Sequence, residues 1–200
     1  MILTTLPGMV NTGESLPAPA ALPEDEAELV RSAAAGSVPA FEELVHLHHP
    51  RVLNFIHQMT RQRQDAEDLT QDTFVKAFQH IHRLDGTRPI INWLLTIARR
   101  TALNHFRSAR KWDFVPAEIV STEPSPARQL EQQDQTDSVW ARARRVLSRR
   151  EFEVLWLRFA EDMSTEETAR IVGLTRIHVK VLVHRARRHL LQENPPHEYE

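Results

Sequence analysis

Apolar positions recur at helical spacing through most of this chain and rarely alternate at period two. Phe41, Leu44, Val45, Val52, Phe55, Ile56 and Met59 fall roughly on one side of a helix that begins near Pro39, with an irregularity expected at Pro50. A shorter helix precedes it from Glu24 to Ala35 and stops at Gly36. Asp65 opens a third, with Ala66, Leu69, Phe74, Ala77, Phe78 and Ile81 pointing inward. Asp85, Gly86 and Pro89 mark a loop, and a long helix follows from about Ile90 to Lys111. Its apolar side holds Leu95, Ala98, Ala102 and Phe106. The periodicity fades between Asp113 and Asp137, a polar stretch with Pro116, Pro124 and Pro126 that reads as a linker. It returns with Val139, Trp140, Ala143, Val146 and Leu147, and again after a cap at Ser148 with Phe152, Leu155, Trp156 and Phe159.

The segment from Ser164 to Leu190 reads as a helix-turn-helix. Ser164 and Glu167 have the spacing of a capping box. Ala169 falls where two helices cross closely, Gly173 falls at the turn, and Leu174, Val179 and Leu182 supply apolar contacts. Thr175 caps a second helix running toward Leu191. The pattern predicts an all-α chain of two small helical domains. The expected divisions are a disordered extension over 1–23, a first domain over 24–112, the linker over 113–137, a second domain over 138–192 and a tail over 193–200.

Composition narrows the classes. The chain has 200 residues, 41% of them hydrophobic, enough for packed cores. It has no cysteine, which excludes disulfides and thiolate metal sites. No apolar run approaches membrane-spanning length and the start lacks the basic flank of a signal peptide, so a cytoplasmic protein without membrane insertion is expected. The net charge of −2 conceals segregation. Asp65, Glu67, Asp68 and Asp72 stand unopposed within 65–72. Arg99, Arg100, Arg107, Arg110 and Lys111 occupy 93–112 without an acid, and six acids face Arg128 alone over 113–139. The last helix carries Arg176, Lys180, Arg185, Arg187 and Arg188, again without an acid. Such segregation implies one polyanionic and one basic partner.

The candidate chemistry follows these patches. Arg100, Asn104, Arg107 and Lys111 step by four, three and four residues and so share a helix face that suits a nucleic-acid backbone, with Asn104 able to reach a base edge. Trp93 opens that helix, where an aromatic ring can stack on or wedge against a base as strands separate, or serve simply as core. Asp65, Asp68 and Asp72, bordered by Gln71, form an acidic stripe suited to a basic protein surface, or to solvent. His46, His48 and His49 cluster, but a zinc site would need further ligands and no HExxH pattern occurs. There is neither a nucleophile elbow nor a phosphate-binding glycine loop, so no enzyme and no cofactor is expected.

Four blocks carry a family resemblance: Asp65 to Phe74 (DAEDLTQDTF), Trp93 to Ala98 (WLLTIA), Met163 to Ala169 (MSTEETA) and His184 to Arg187 (HRAR). In that order, over about Glu24 to Leu191, the chain resembles a bacterial extracytoplasmic-function (ECF) sigma factor. The resemblance implies a dissociable specificity subunit of RNA polymerase at work on the bacterial nucleoid. Asp65, Glu67, Asp68, Gln71 and Asp72 would dock on the β′ clamp helices, with Phe74 packed beneath or beside them. Asn92, Trp93, Arg99, Arg100, Asn104, Arg107 and Lys111 would recognise and help open the minus-10 element, the loop near Asp85 to Asn92 holding an extruded base. Arg176, His178, Lys180, Val181, His184, Arg185 and Arg188 would read the minus-35 element, with the β flap as a second contact on core polymerase. The acidic linker would thread toward the RNA exit channel, and an anti-sigma factor would be a further partner. Two departures stand out. The family often has Asn where Arg100 stands, and the recognition helix commonly reads GTVKSR where this chain has Ile177 to Leu182 (IHVKVL), which implies an upstream element read partly through shape and thymine methyl groups. The alternatives are a LuxR-like regulator that binds DNA alone, suggested by Leu147 to Leu155 ahead of the helix-turn-helix, and a metal-dependent hydrolase built on the histidine cluster.

Overall fold

The structure is a computed structural model that describes residues 24–84, 86–112 and 135–192. The expected extension (1–23), the linker (113–134 of it), the tail (193–200) and Asp85 lie outside the described residues. Every described element is helical: α1 (Glu24–Ala34), α2 (Val38–Thr60), α3 (Arg63–His80), a 3-10 turn (Ile81–Arg83), α4 (Ile90–Trp112), α5 (Gln135–Val146), α6 (Arg149–Phe159), α7 (Thr165–Val172) and α8 (Arg176–Gln192). They form two compact units, one built on α1–α4 and the other on α5, α6, α8 and the start of α7.

In the first unit α2 packs against α1, α3 and α4, and α3 against α4. Leu44, Val52, Phe55 and Ile56 of α2 meet Val30 of α1 and Ile90, Leu94 and Leu95 of α4 in a fully buried core. Each such side chain is worth about 1.5–3 kcal/mol by burial. Ser37 starts α2 by accepting the Ala40 amide on Oγ, with Pro39 in the first turn. The irregularity expected at Pro50 does not end the helix, which runs on to Thr60. Proline removes the bond to the carbonyl of His46, and both residues are exposed, so water can satisfy that carbonyl.

Phe78, expected inside, is 49% exposed and meets Phe41 only edge-on, with ring centroids 5.1 Å apart. The centre of the inward face of α3 is held by Ala66, Thr70, Thr73 and Ala77, all with no exposed surface. Phe78 sits at the rim of that arc.

The second unit is organised by α6 and α8. Trp140, Phe152 and Trp156 form an aromatic cluster, the two indoles 4.7 Å apart between centroids. Ser148 and Glu151 make a reciprocal capping box at the head of α6. Ser164 and Glu167 do the same at α7: the Ser164 amide donates to Glu167 Oε2 (2.8 Å) and the Glu167 amide to Ser164 Oγ (3.1 Å). Gly173 closes α7 with φ +68, and the Leu174 amide reaches back to the Ala169 carbonyl (2.9 Å), the bond of a Schellman turn. Thr175 then accepts the His178 amide (3.3 Å) and starts α8.

Candidate nucleic-acid interface

The two cationic surfaces are built by the same device, a helix whose apolar stripe fixes its roll. In α4, Leu94, Leu95, Ala98 and Ala102 are buried and thereby turn Arg100, Asn104 and Arg107 outward, all exposed. Lys111 continues the same stripe along the helix, and its side chain is outside the described residues. Arg99 lies to one side and is half-buried. Trp93, seven residues before Arg100, falls on that same face and is half-buried, so its ring is partly available where the helix begins. Asn92 is half-buried beside it.

The loop ahead of α4 is held by α1. The Ile90 amide, an N-terminal donor of α4, donates to Glu26 Oε1 (3.3 Å). Gly86 has φ +70, and a Cβ there would lie 3.1 Å from the Ala27 carbonyl, so both backbone conformation and close approach require glycine. These tertiary contacts of Glu26 and Gly86 lay beyond the reach of local sequence patterns.

The acidic stripe on α3 is less open than the sequence implied. Asp65 is 3.5 Å from His105 of α4, Glu67 pairs with Arg63 (2.8 Å) and Asp72 lies 4.0 Å from Lys76. Their partners come from outside 65–72, which is why that segment read as unopposed. Asp68, Gln71 and Asp72 remain exposed in one run, and Val75, 57% exposed, extends it. Phe74 is buried, its ring stacked on His49 at 6.1 Å. Lys76 also donates to Thr101 Oγ1 (3.1 Å), tying α3 to α4.

The three clustered histidines have separate surroundings. His48 is buried and lies 3.7 Å from Glu26, His49 stacks on Phe74, and His46 is exposed. Among the described residues no group of three or more His, Asp or Glu side chains is placed to hold a metal ion.

In α8 the buried side chains are Val179, Ala186 and Leu190. The opposite face presents Ile177, Val181, His184 and Arg188, with Arg176, Lys180, His178 and Arg185 on its flanks, all exposed. Arg176 pairs with Glu166 of α7 (3.6 Å), and His178 Nδ1 is 3.1 Å from Thr175 Oγ1. Arg187 is turned away from this face, its guanidinium 5.3 Å from the centre of the Phe159 ring. Arg158 donates to the Met163 carbonyl and spans the turn between α6 and α7. Glu151 joins α6 to His189 of α8 (3.3 Å). Burial works to raise the Glu151 carboxyl, but hydrogen bonds from Ser148 and the charge of His189 outweigh it and hold the group below its ordinary value.

Comparison with known proteins places these surfaces in context. Residues 44–112 match the family model for sigma-70 region 2, and residues 141–190 that for sigma-70 region 4. The chain is 32% identical over 154 residues to the RNA polymerase sigma factor YlaC of Bacillus subtilis, covering 74% of this chain and 88% of that protein. It is 31% identical over 176 residues to the ECF RNA polymerase sigma factor BldN of Streptomyces coelicolor, covering 84% of this chain but only 65% of BldN. Among solved structures, CnrH in complex with the cytosolic domain of CnrY is similar with a TM-score of 0.61 at 26% identity, over 84% of this chain and 96% of that one. The sigma factor RpoE in complex with the anti-sigma factor NepR from Bartonella quintana is similar with a TM-score of 0.60 at 28% identity, over 78% of this chain and 96% of that one. Among the described residues no helix is long and apolar enough to cross a membrane.

Proposed function

Because the chain belongs to the ECF family of RNA polymerase sigma factors, we propose that its two helical units divide promoter recognition between them while the α3 stripe holds the chain to core polymerase. The protein is a dissociable initiation subunit, not an enzyme in its own right, and its place of work is the bacterial nucleoid. The observation that carries the reading is the pair of exposed cationic helix faces, one in each unit, on stretches without an acid: Arg100, Asn104 and Arg107 on α4, and Lys180, Arg185 and Arg188 on α8.

The geometry supports a role for each residue. Unstacking a base costs a few kcal/mol, which a small domain cannot readily supply alone. Trp93, on the same face as Arg100, would stack where strands part, while Arg100, Arg107 and Lys111 follow the phosphates and Asn104 reaches a base edge. Asn92 and Arg99 border this surface. The unit of α5–α8 takes the upstream element, with Arg176, His178, Lys180, Val181, His184, Arg185 and Arg188 along α8, and its second attachment is the β flap. Asp68, Gln71 and Asp72 face the β′ clamp helices. Asp65 and Glu67 flank that contact and Phe74 backs it. Similarity to structures solved with an anti-sigma factor supports a partner of that kind here. A LuxR-like regulator would leave the first unit without a task, whereas the match over residues 44–112 gives it one.

The test is to mix the full chain with core polymerase lacking any sigma subunit. A stable complex and promoter-specific transcripts are expected, and Asp68→Lys with Asp72→Lys should weaken assembly roughly tenfold or more. Selective promoter binding by the free chain, with no dependence on core polymerase, would instead favour the stand-alone regulator.

A further inference from the structure

The outward face of α8 is unusual for a helix presented to DNA. Directly opposite the buried Val179, Ala186 and Leu190, the ridge runs Ile177, Val181, His184, Arg188, at spacings of four, three and four residues. Its first two positions are apolar and uncovered: Ile177 is 74% exposed and Val181 is 43% exposed. No other large apolar side chain in α8 is as exposed as Ile177. Cations stand on both sides of the ridge, Arg176 and Lys180 on one and Arg185 on the other, and no acid occurs from Arg176 to Gln192. His178, next to Ile177 in sequence, has Nδ1 3.1 Å from Thr175 Oγ1.

We propose that Ile177 and Val181 read the 5-methyl groups of two thymines in the upstream promoter duplex. The inference rests on the assignment of α8 to that duplex. The C5-methyl of thymine is the apolar feature that the major groove offers, and the other base-edge features there are hydrogen-bond donors and acceptors. Isoleucine and valine can make no bidentate bond to guanine or adenine, and opposite a G·C pair they would strip water from polar edges without replacing it. Both are β-branched and stiff at χ1, so little rotamer freedom is lost on contact. Residues four apart on a helix are separated by about 6 Å of rise, against 3.4 Å per base pair. The two thymines therefore lie one or two steps apart. The flanking cations match the phosphate rows on either side of a major groove, whereas an apolar strip only two residues wide is narrow for a protein partner.

The experiment uses the full chain assembled with core polymerase. Duplexes selected from a pool randomised in the upstream segment should share two T·A pairs one or two steps apart. Replacing those thymines by deoxyuridine removes only the methyl groups, and each replacement should weaken binding about fourfold. In Ile177→Ala/Val181→Ala, whose helix content and melting are checked first, the same replacement should change binding less than about twofold. If the assembly protects the upstream duplex but is indifferent to deoxyuridine, the inference is overturned and the assignment of α8 stands. If the upstream duplex is not protected at all, both fall. If the double variant instead loses core polymerase while deoxyuridine has no effect, the ridge faces protein and the inference is again overturned.

Discussion

At His48 three helices of the first unit meet. The ring is 7% exposed, and its Nε2 lies 3.7 Å from Glu26 Oε1 of α1, the same oxygen that accepts the Ile90 amide at the head of α4. Burial lowers the His48 pKa, Glu26 works against that shift and Arg51 adds to it. The unfolded chain, with histidine near 6.5, therefore takes up a proton before the folded one does. Stability should fall as pH drops below about 6.5, until the lower folded pKa is reached, by at most about 1.4 kcal/mol per pH unit for this group. Thermal melts at several pH values between 7.5 and 5.0 should show a shallower slope for His48→Gln than for the natural chain. Equal slopes would mean that His48 does not carry the effect, whatever the variant does to absolute stability. The sequence marked His48 only as one of a cluster, because burial of a single polar side chain is a tertiary outcome. Thr70 and Thr73 make the same point: both are polar in the pattern, yet both are fully buried, their hydroxyls donating to the Ala66 and Leu69 carbonyls (2.6 and 2.7 Å).

Helix boundaries show what local sequence can encode. The Ser164–Glu167 box and the Thr175 cap depend on groups three residues apart, so the spacing itself announced them. The exposed stripe on α4 was legible for the same reason, since period and composition fix which residues share a face. What was not legible is how one element holds another. Glu26 of α1 satisfies α4, and Gly86 yields space to the Ala27 carbonyl, across more than fifty residues of sequence. Ser164→Ala should cost about 1 kcal/mol through the lost cap of α7. Urea melts followed by indole fluorescence should place that loss in the transition of the unit that holds Trp156, with the α1–α4 unit unchanged. A loss shared equally by both transitions, or none at all, would contradict a purely local cap.

Over the whole molecule a net charge of −2 is divided into surfaces of opposite sign. If Arg100 and Arg107 in the first unit and Lys180, Arg185 and Arg188 in the second all neutralise phosphates in one promoter complex, their counterion release adds. Each contact then contributes about −0.9 to the slope of log affinity against log salt. Core polymerase brings phosphate contacts of its own, so the total slope is not diagnostic, but differences between variants are. Arg107→Ala and Arg188→Ala should each make the slope of the assembled polymerase shallower by about 0.9, and the double variant by about 1.8. The measurement is promoter affinity between 50 and 200 mM salt, a range across which several phosphate contacts change affinity by orders of magnitude. Additivity matters more than either single value, because it requires both units to touch the same duplex at the same time. A double variant no shallower than Arg188→Ala alone would mean that the α4 face is off the DNA in the bound complex, and the division of recognition between two units would have to be abandoned.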